Sequence, residues 1–313
     1  MKLGELPVAD FERLLRREGL ALQFGPVRVR LRSDVAALAP VLHDLYSAYP
    51  VEEPRGFFDI TGRLAPVRGV RRFLRPQVAL TLDGDSPFEA FPADTHFPLL
   101  EWGLNWAIAT RTNQHLLLHS GVVERGGHAV ILPALPASGK STLTAALASR
   151  GYRLLSDEFG IVRLADARLL PMPRAVALKN ESIGIIRAFS PGAVLGPEFP
   201  RTRKGTVAHL APDAASVAAC GVAATPALVV FPAYTRGVAA EAEPFPKARA
   251  FAKLSVNSFN YELLGPAGFD AVGAIVSRCD CYQLRFGDLD AAIAEIGRLL
   301  DARIARVESA LEA

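Results

Sequence analysis

The chain has 313 residues, half of them hydrophobic and 21% charged, with a formal net charge of +3. This is a globular balance long enough for two domains, and the charge is too small to argue for a nucleic-acid partner. The three cysteines, Cys220, Cys279 and Cys281, provide no disulfide framework, and Cys279-x-Cys281 lacks the second pair of a zinc site. Free thiols in a reducing, cytoplasmic setting are expected. No apolar run reaches the roughly 20 residues of a membrane-crossing helix, and MKLGELPVADFERLL lacks the apolar core and cleavage site of a signal peptide.

In chain order, residues 9–19 have the spacing of a short amphipathic helix, with Phe11, Leu14 and Leu15 on one side. Leu22, Phe24, Val27, Val29 and Leu31 mark a strand interrupted at Gly25-Pro26. Ser33-Asp34 is an N-cap for a helix running to about Tyr49. Segments 57–64, 67–74 and 77–82 have the texture of short strands, with a turn at Asp83-Gly84-Asp85. A helix is predicted over about 98–110, with Trp102 and Trp106 expected in core or interface packing. Arg28, Arg30 and Arg32 alternate on one strand face. They and Arg68, Arg71, Arg72 and Arg75 form either a solvated surface or a docking surface for an acidic partner.

From residue 115 short apolar runs take over. Strands are expected around 116–118, 130–132, 153–158, 161–164 and 227–231, and 186–212, polar, basic and rich in Pro and Gly, has the composition of a long mobile loop. Residues 288–309 have helical spacing behind a cap at Asp288.

The densest signal is Pro133-Ala134-Leu135-Pro136-Ala137-Ser138-Gly139-Lys140-Ser141-Thr142. An apolar strand, Ala129-Val130-Ile131-Leu132, precedes it and an alanine-rich helix follows, which is the context that makes a P-loop credible. Backbone N–H groups of Ala137, Ser138, Gly139, Lys140, Ser141 and Thr142 would surround a nucleotide's phosphates. Lys140 would reach the β/γ oxygens and the Ser141 hydroxyl would ligate Mg²⁺. Asp157 and Glu158 end the next strand, where carboxylates face the ligand crevice of a parallel sheet. One could orient the metal and the other accept a proton from an attacking hydroxyl. His119, before the P-loop strand, would by itself be read as structural.

Taken together, Leu118-His119-Ser120-Gly121-Val122, PALPASGKST and Leu155-Ser156-Asp157-Glu158 resemble the catalytic domain of HPr kinase/phosphorylase, and more closely the shorter HprK-related kinases. The resemblance covers about 115–215, with the remainder of the C-terminal part looser. It implies an α/β P-loop kinase domain of the HPr kinase/PEP carboxykinase type over 113–313, preceded by a small α+β domain over 1–112. It further implies ATP and Mg²⁺, transfer to a serine hydroxyl of a protein or peptide, and Asp157 as the base. His119 would orient or tune Asp157, Glu158 would join Ser141 at the metal, and hexamers in HPr kinase hint at a homo-oligomer.

The chain departs from the family where Ala134 replaces the first P-loop glycine, where Glu158 replaces an Asp, and where Lys179-Asn180-Glu181-Ser182-Ile183-Gly184-Ile185-Ile186 replaces the signature tied to phosphorylase activity. Reverse phosphorolysis is therefore not expected. Lys179 or Glu181 could face the site, and a cation from Arg201, Arg203 or Lys204 could reach a transferring phosphoryl group. The same residues also fit a kinase of a small metabolite, or a nucleotide-sensing scaffold with a degraded P-loop.

Overall fold

The computed structural model describes residues 1–69, 73–133 and 138–312. The chain is a mixed α/β protein with several sheets. It divides into one unit of Met1–Arg111 with Arg174–Ala218 and another of Thr112–Pro173 with Ala219–Ala313.

The first unit begins with α1 (Val8–Arg17), β1 (Leu20–Phe24), β2 (Val27–Ser33), α2 (Leu38–Leu45), β3 (Ile60–Pro66), β4 (Gln77–Leu82), β5 (Phe91–Pro92) and α3 (His96–Arg111). Its five strands pair in sequence order, antiparallel except for β2 with β3. The expected single strand across Gly25-Pro26 is a hairpin instead, with Phe24 opposite Val27. Gly25 takes φ +56° there, a left-handed conformation that costs glycine little. Val27, Val29 and Leu31 are buried on one face of β2.

The arginines of the other face tie down neighbouring chain. Arg28 donates to the carbonyls of Arg55 and Phe57, Arg30 to that of Glu18, and Arg32 to that of Arg17. Residues 67–69 and 73–74 form no strand, and Arg71 and Arg72 lie outside the described residues. Trp102 and Trp106 stand against surface segments, edge-on to Phe91 and Phe88, with Trp106 37% exposed.

The chain then builds β6 (His115–Arg125), β7 (His128–Pro133), α4 (Lys140–Ala148), β8 (Arg153–Ser156), β9 (Phe159–Arg163) and β10 (Leu169–Leu170) of the second unit. It returns to the first unit for β11 (Val176–Lys179), α5 (Glu181–Phe189), β12 (Phe199–Thr202), β13 (Gly205–Leu210) and α6 (Ala214–Ala218). The stretch expected to be a mobile loop thus holds the end of α5 and the strands β12 and β13, which join β11 in a sheet ordered β11-β13-β12. Phe199, Val207 and Leu210 are buried there, which gives the segment an apolar anchor despite its prolines and glycines.

The second unit is completed by β14 (Thr225–Tyr234), β15 (Glu241–Pro244), α7 (Lys247–Val256), α8 (Tyr261–Leu264), α9 (Pro266–Arg278), β16 (Asp280–Phe286) and α10 (Leu289–Glu312). Its sheet is ordered β10-β9-β6-β7-β14-β16-β15, with β8 also on β6. β7, β14 and β16 run parallel in its middle. Asp288 caps α10 through the Ala291 N–H at 2.8 Å, as the sequence suggests. Among the described residues no helix is long and apolar enough to cross a membrane.

Candidate functional site

The second unit brings the expected segments to one end of its sheet. β7 ends at Pro133, opposite Ser120 of β6, and α4 begins at Lys140. Gly139 precedes the helix with φ +87°, a conformation that strains any side chain. Ala137, with Ala134 and Pro136, lies outside the described residues. Ser138 is held through its carbonyl, which accepts from the Tyr234 N–H at 3.2 Å, while its buried Oγ has no hydrogen-bond partner among the described residues. Ser141 and Thr142 are half-buried in the first turn of α4.

β8 and β9 lie along the same edge of β6, pairing Ser156 with Val122 and Phe159 with His119. Asp157 and Glu158 therefore fall opposite Gly121 and Ser120, at the level where β7 ends at Pro133. The Ser156 Oγ accepts from the Phe159 N–H at 3.0 Å and the Glu158 N–H at 3.3 Å, fixing the acidic turn. Two glycines let these layers close up. A Cβ on Gly121 would collide with Thr144 of α4, and one on Gly160 with Ser120.

Lys140 and Asp157 form the centre of this arrangement. Lys140 Nζ lies 3.7 Å from Asp157 Oδ1, with side chains only 10% and 6% exposed, and donates to the Asp157 carbonyl. So sheltered a pair escapes most of the screening that weakens surface ion pairs. Asp157 Oδ1 is buried without a hydrogen bond among the described residues, leaving it capacity to accept one from a ligand. His119 Nε2 lies 3.6 Å from Glu158 Oε1. The resemblance implies that this imidazole serves Asp157; in the structure its Nε2 stands beside the neighbouring carboxylate, Glu158.

Two residues that sequence reasoning missed hold His119. Its backbone N–H donates to the Asn257 carbonyl at 2.9 Å, and Asn257 Nδ2 returns a bond to the His119 carbonyl at 2.8 Å. Phe259 packs against the imidazole at 5.4 Å between ring centres. Their only signal in the sequence is a polar break, Asn257-Ser258-Phe259-Asn260, after an amphipathic helix.

The remaining candidates belong to the first unit. Lys179 and Glu181 are exposed at the β11–α5 junction. Arg201 pairs with Asp94 at 3.0 Å, Arg203 stands over Phe91 and Lys204 over Trp102. Among the described residues no three His, Cys, Asp or Glu side chains gather as a metal-ligand set. Compared with models of known protein families and with curated proteins, the chain matches none.

Proposed function

We propose that the second unit is a P-loop kinase domain of the HPr kinase type. It transfers the terminal phosphoryl group of Mg-ATP to a hydroxyl, with serine of a protein or peptide as the acceptor class. The observation that carries the reading is the meeting of Lys140 and Asp157 at the end of the P-loop strand, with His119 and Glu158 alongside. The residues present fit the ligand: among the described residues Asp157 keeps a buried carboxylate oxygen and Ser138 a hydroxyl without hydrogen bonds, and a glycine stands at the helix entrance. The nucleotide supplies an electrophilic phosphoryl group whose charge the metal offsets.

The chain's own residues do the rest. The N–H groups opening α4 hold the phosphates, and Ser141 with Glu158 would hold the metal. Lys140, drawn from Asp157 toward phosphate oxygens, neutralises charge there and frees Asp157 to take the proton of the attacking hydroxyl. His119 orients Glu158.

The test is incubation with γ-labelled ATP and Mg²⁺, with and without candidate serine-containing peptides. Label should reach the acceptor and fall by at least ~100-fold in both Lys140→Ala and Asp157→Asn, the scale of a lost general base or charge stabiliser. Label on a small molecule would make the protein a metabolite kinase, and ATP binding with no phosphoryl transfer would favour a sensor. Both outcomes overturn the protein-kinase reading.

A further inference from the structure

The second unit also mounts an aromatic ring beside the P-loop that phosphoryl transfer does not require. Tyr234 is the last residue of β14, which flanks β7 on the edge opposite β6. Its N–H holds the Ser138 carbonyl at 3.2 Å. A Cβ on Gly139 would lie 3.1 Å from the Tyr234 Cβ and 4.0 Å from its Cγ, so the ring starts immediately beside the loop. Phe286, at the end of the parallel neighbour β16, braces the phenol edge-on at 5.7 Å and 67°. The Thr235 N–H donates to the Phe286 carbonyl at 2.8 Å. At Gly287 a Cβ would lie 2.7 Å from the Thr235 oxygen and 2.8 Å from the Gly237 nitrogen. The turn carrying Tyr234 is therefore packed backbone to backbone. Despite this bracing, Tyr234 remains 45% exposed.

The polarity of a bound nucleotide decides what this ring would meet. Lys140, Asp157, Glu158 and His119 all lie on the β6 side of the helix entrance, which assigns the terminal phosphate to that side. The remaining phosphates then run across Ser138-Gly139 and deliver the nucleoside on the β14 side. We propose that Tyr234 is the nucleobase-binding residue, its braced ring stacking on the purine of the nucleotide. This rests on the reading of the P-loop as a nucleotide site. Stacking on a fixed aromatic face is a favourable use of an exposed ring, because the side chain is ordered before the base arrives.

The experiment compares calorimetric binding of Mg-ATP and of inorganic tripolyphosphate with Mg²⁺ to wild type, Tyr234→Ala and Tyr234→Phe. Wild type should bind ATP more tightly than tripolyphosphate. Tyr234→Ala should weaken ATP by about 5- to 100-fold, the span of one base–aromatic stack, while tripolyphosphate stays within about twofold. Tyr234→Phe, which keeps the ring, should retain ATP affinity within about threefold. Unchanged ATP binding by Tyr234→Ala overturns the proposal. Equal losses for both ligands also overturn it, since Tyr234 would then only hold the loop. Equal affinity of wild type for both ligands removes the base contact alone, whereas wild type binding neither removes the phosphate site and this proposal with it.

Discussion

His209 is fully buried in the first unit, packed edge-on to Phe97 at 4.8 Å, and neither of its ring nitrogens has a hydrogen-bond partner among the described residues. Burial pushes its pKa down to about 4, with Glu101 opposing and Arg174 and Lys179 adding to the shift. An unfolded histidine titrates near 6.5. Between the two values the unfolded chain holds a proton that the folded unit excludes, so stability falls as pH drops from about 6.5 to 4 and then levels off. The full loss is roughly 3 kcal/mol. His209→Leu should remove this slope. The difference in denaturation midpoint between variant and wild type should grow as pH is lowered from 7 to 4.5, and a constant difference would refute the assignment. At this scale the sequence was legible where neighbours in the chain are neighbours in space, as with the helix that opens at Lys140 behind Gly139. Asn257 and Phe259 meet His119 only through folding, and His209 has no local mark of its burial.

The packing of α4 on β6 shows how an element is seated by its smallest residue. Gly121 lies under Thr144, whose Oγ1 also donates to the Lys140 carbonyl at 2.9 Å. Gly121→Ala would drive a methyl group into that hydroxyl, costing about 1–3 kcal/mol as overpacking and displacing the helix that carries Lys140. Thr144→Ala removes the obstructing atoms, leaving the new methyl at 3.4 Å from the Thr144 Cβ, an ordinary contact. The double variant should therefore be more stable than the sum of the two single losses, as read by chemical denaturation. Additive losses would mean that this contact does not seat the helix. The glycine of His119-Ser120-Gly121 was visible in the sequence, but its reason was not, because the atom it avoids belongs to another element. Helices were readable where periodicity is strong, as in α1 and α10. The β12–β13 hairpin was hidden because its apolar residues are few and its buried neighbours, His96 and Phe97, are distant in sequence.

At the scale of the whole molecule, the first unit is discontinuous. The resemblance implies a second domain unbroken over 113–313, whereas the structure returns Arg174–Ala218 to the first unit. Local composition cannot announce such a return, since Arg174 and Glu101, the pair that fastens it, are 73 residues apart. Glu101 lies buried in α3, accepting from the Tyr46 hydroxyl at 2.7 Å and from Arg174 Nη2 at 2.6 Å. Arg174 Nη1 also donates to Asn105 at 2.6 Å, and its guanidinium lies over Phe24. Both charged side chains are at most 7% exposed. Removing one member of such a pair strands the other charge and costs about 3–5 kcal/mol. A fragment of residues 1–111 would lose Arg174 together with Phe199 and His209, which cover His96 and Phe97. That combined loss approaches the 5–15 kcal/mol that stabilises an ordinary domain. The fragment should melt without a cooperative transition by circular dichroism. The same fragment joined through a flexible linker to residues 174–218 should regain one, because the linker restores both the counter-charge and the covering sheet. If 1–111 alone melts as sharply as the joined form, the buried pair and the β11–β13 sheet are not part of that unit's stabilising core.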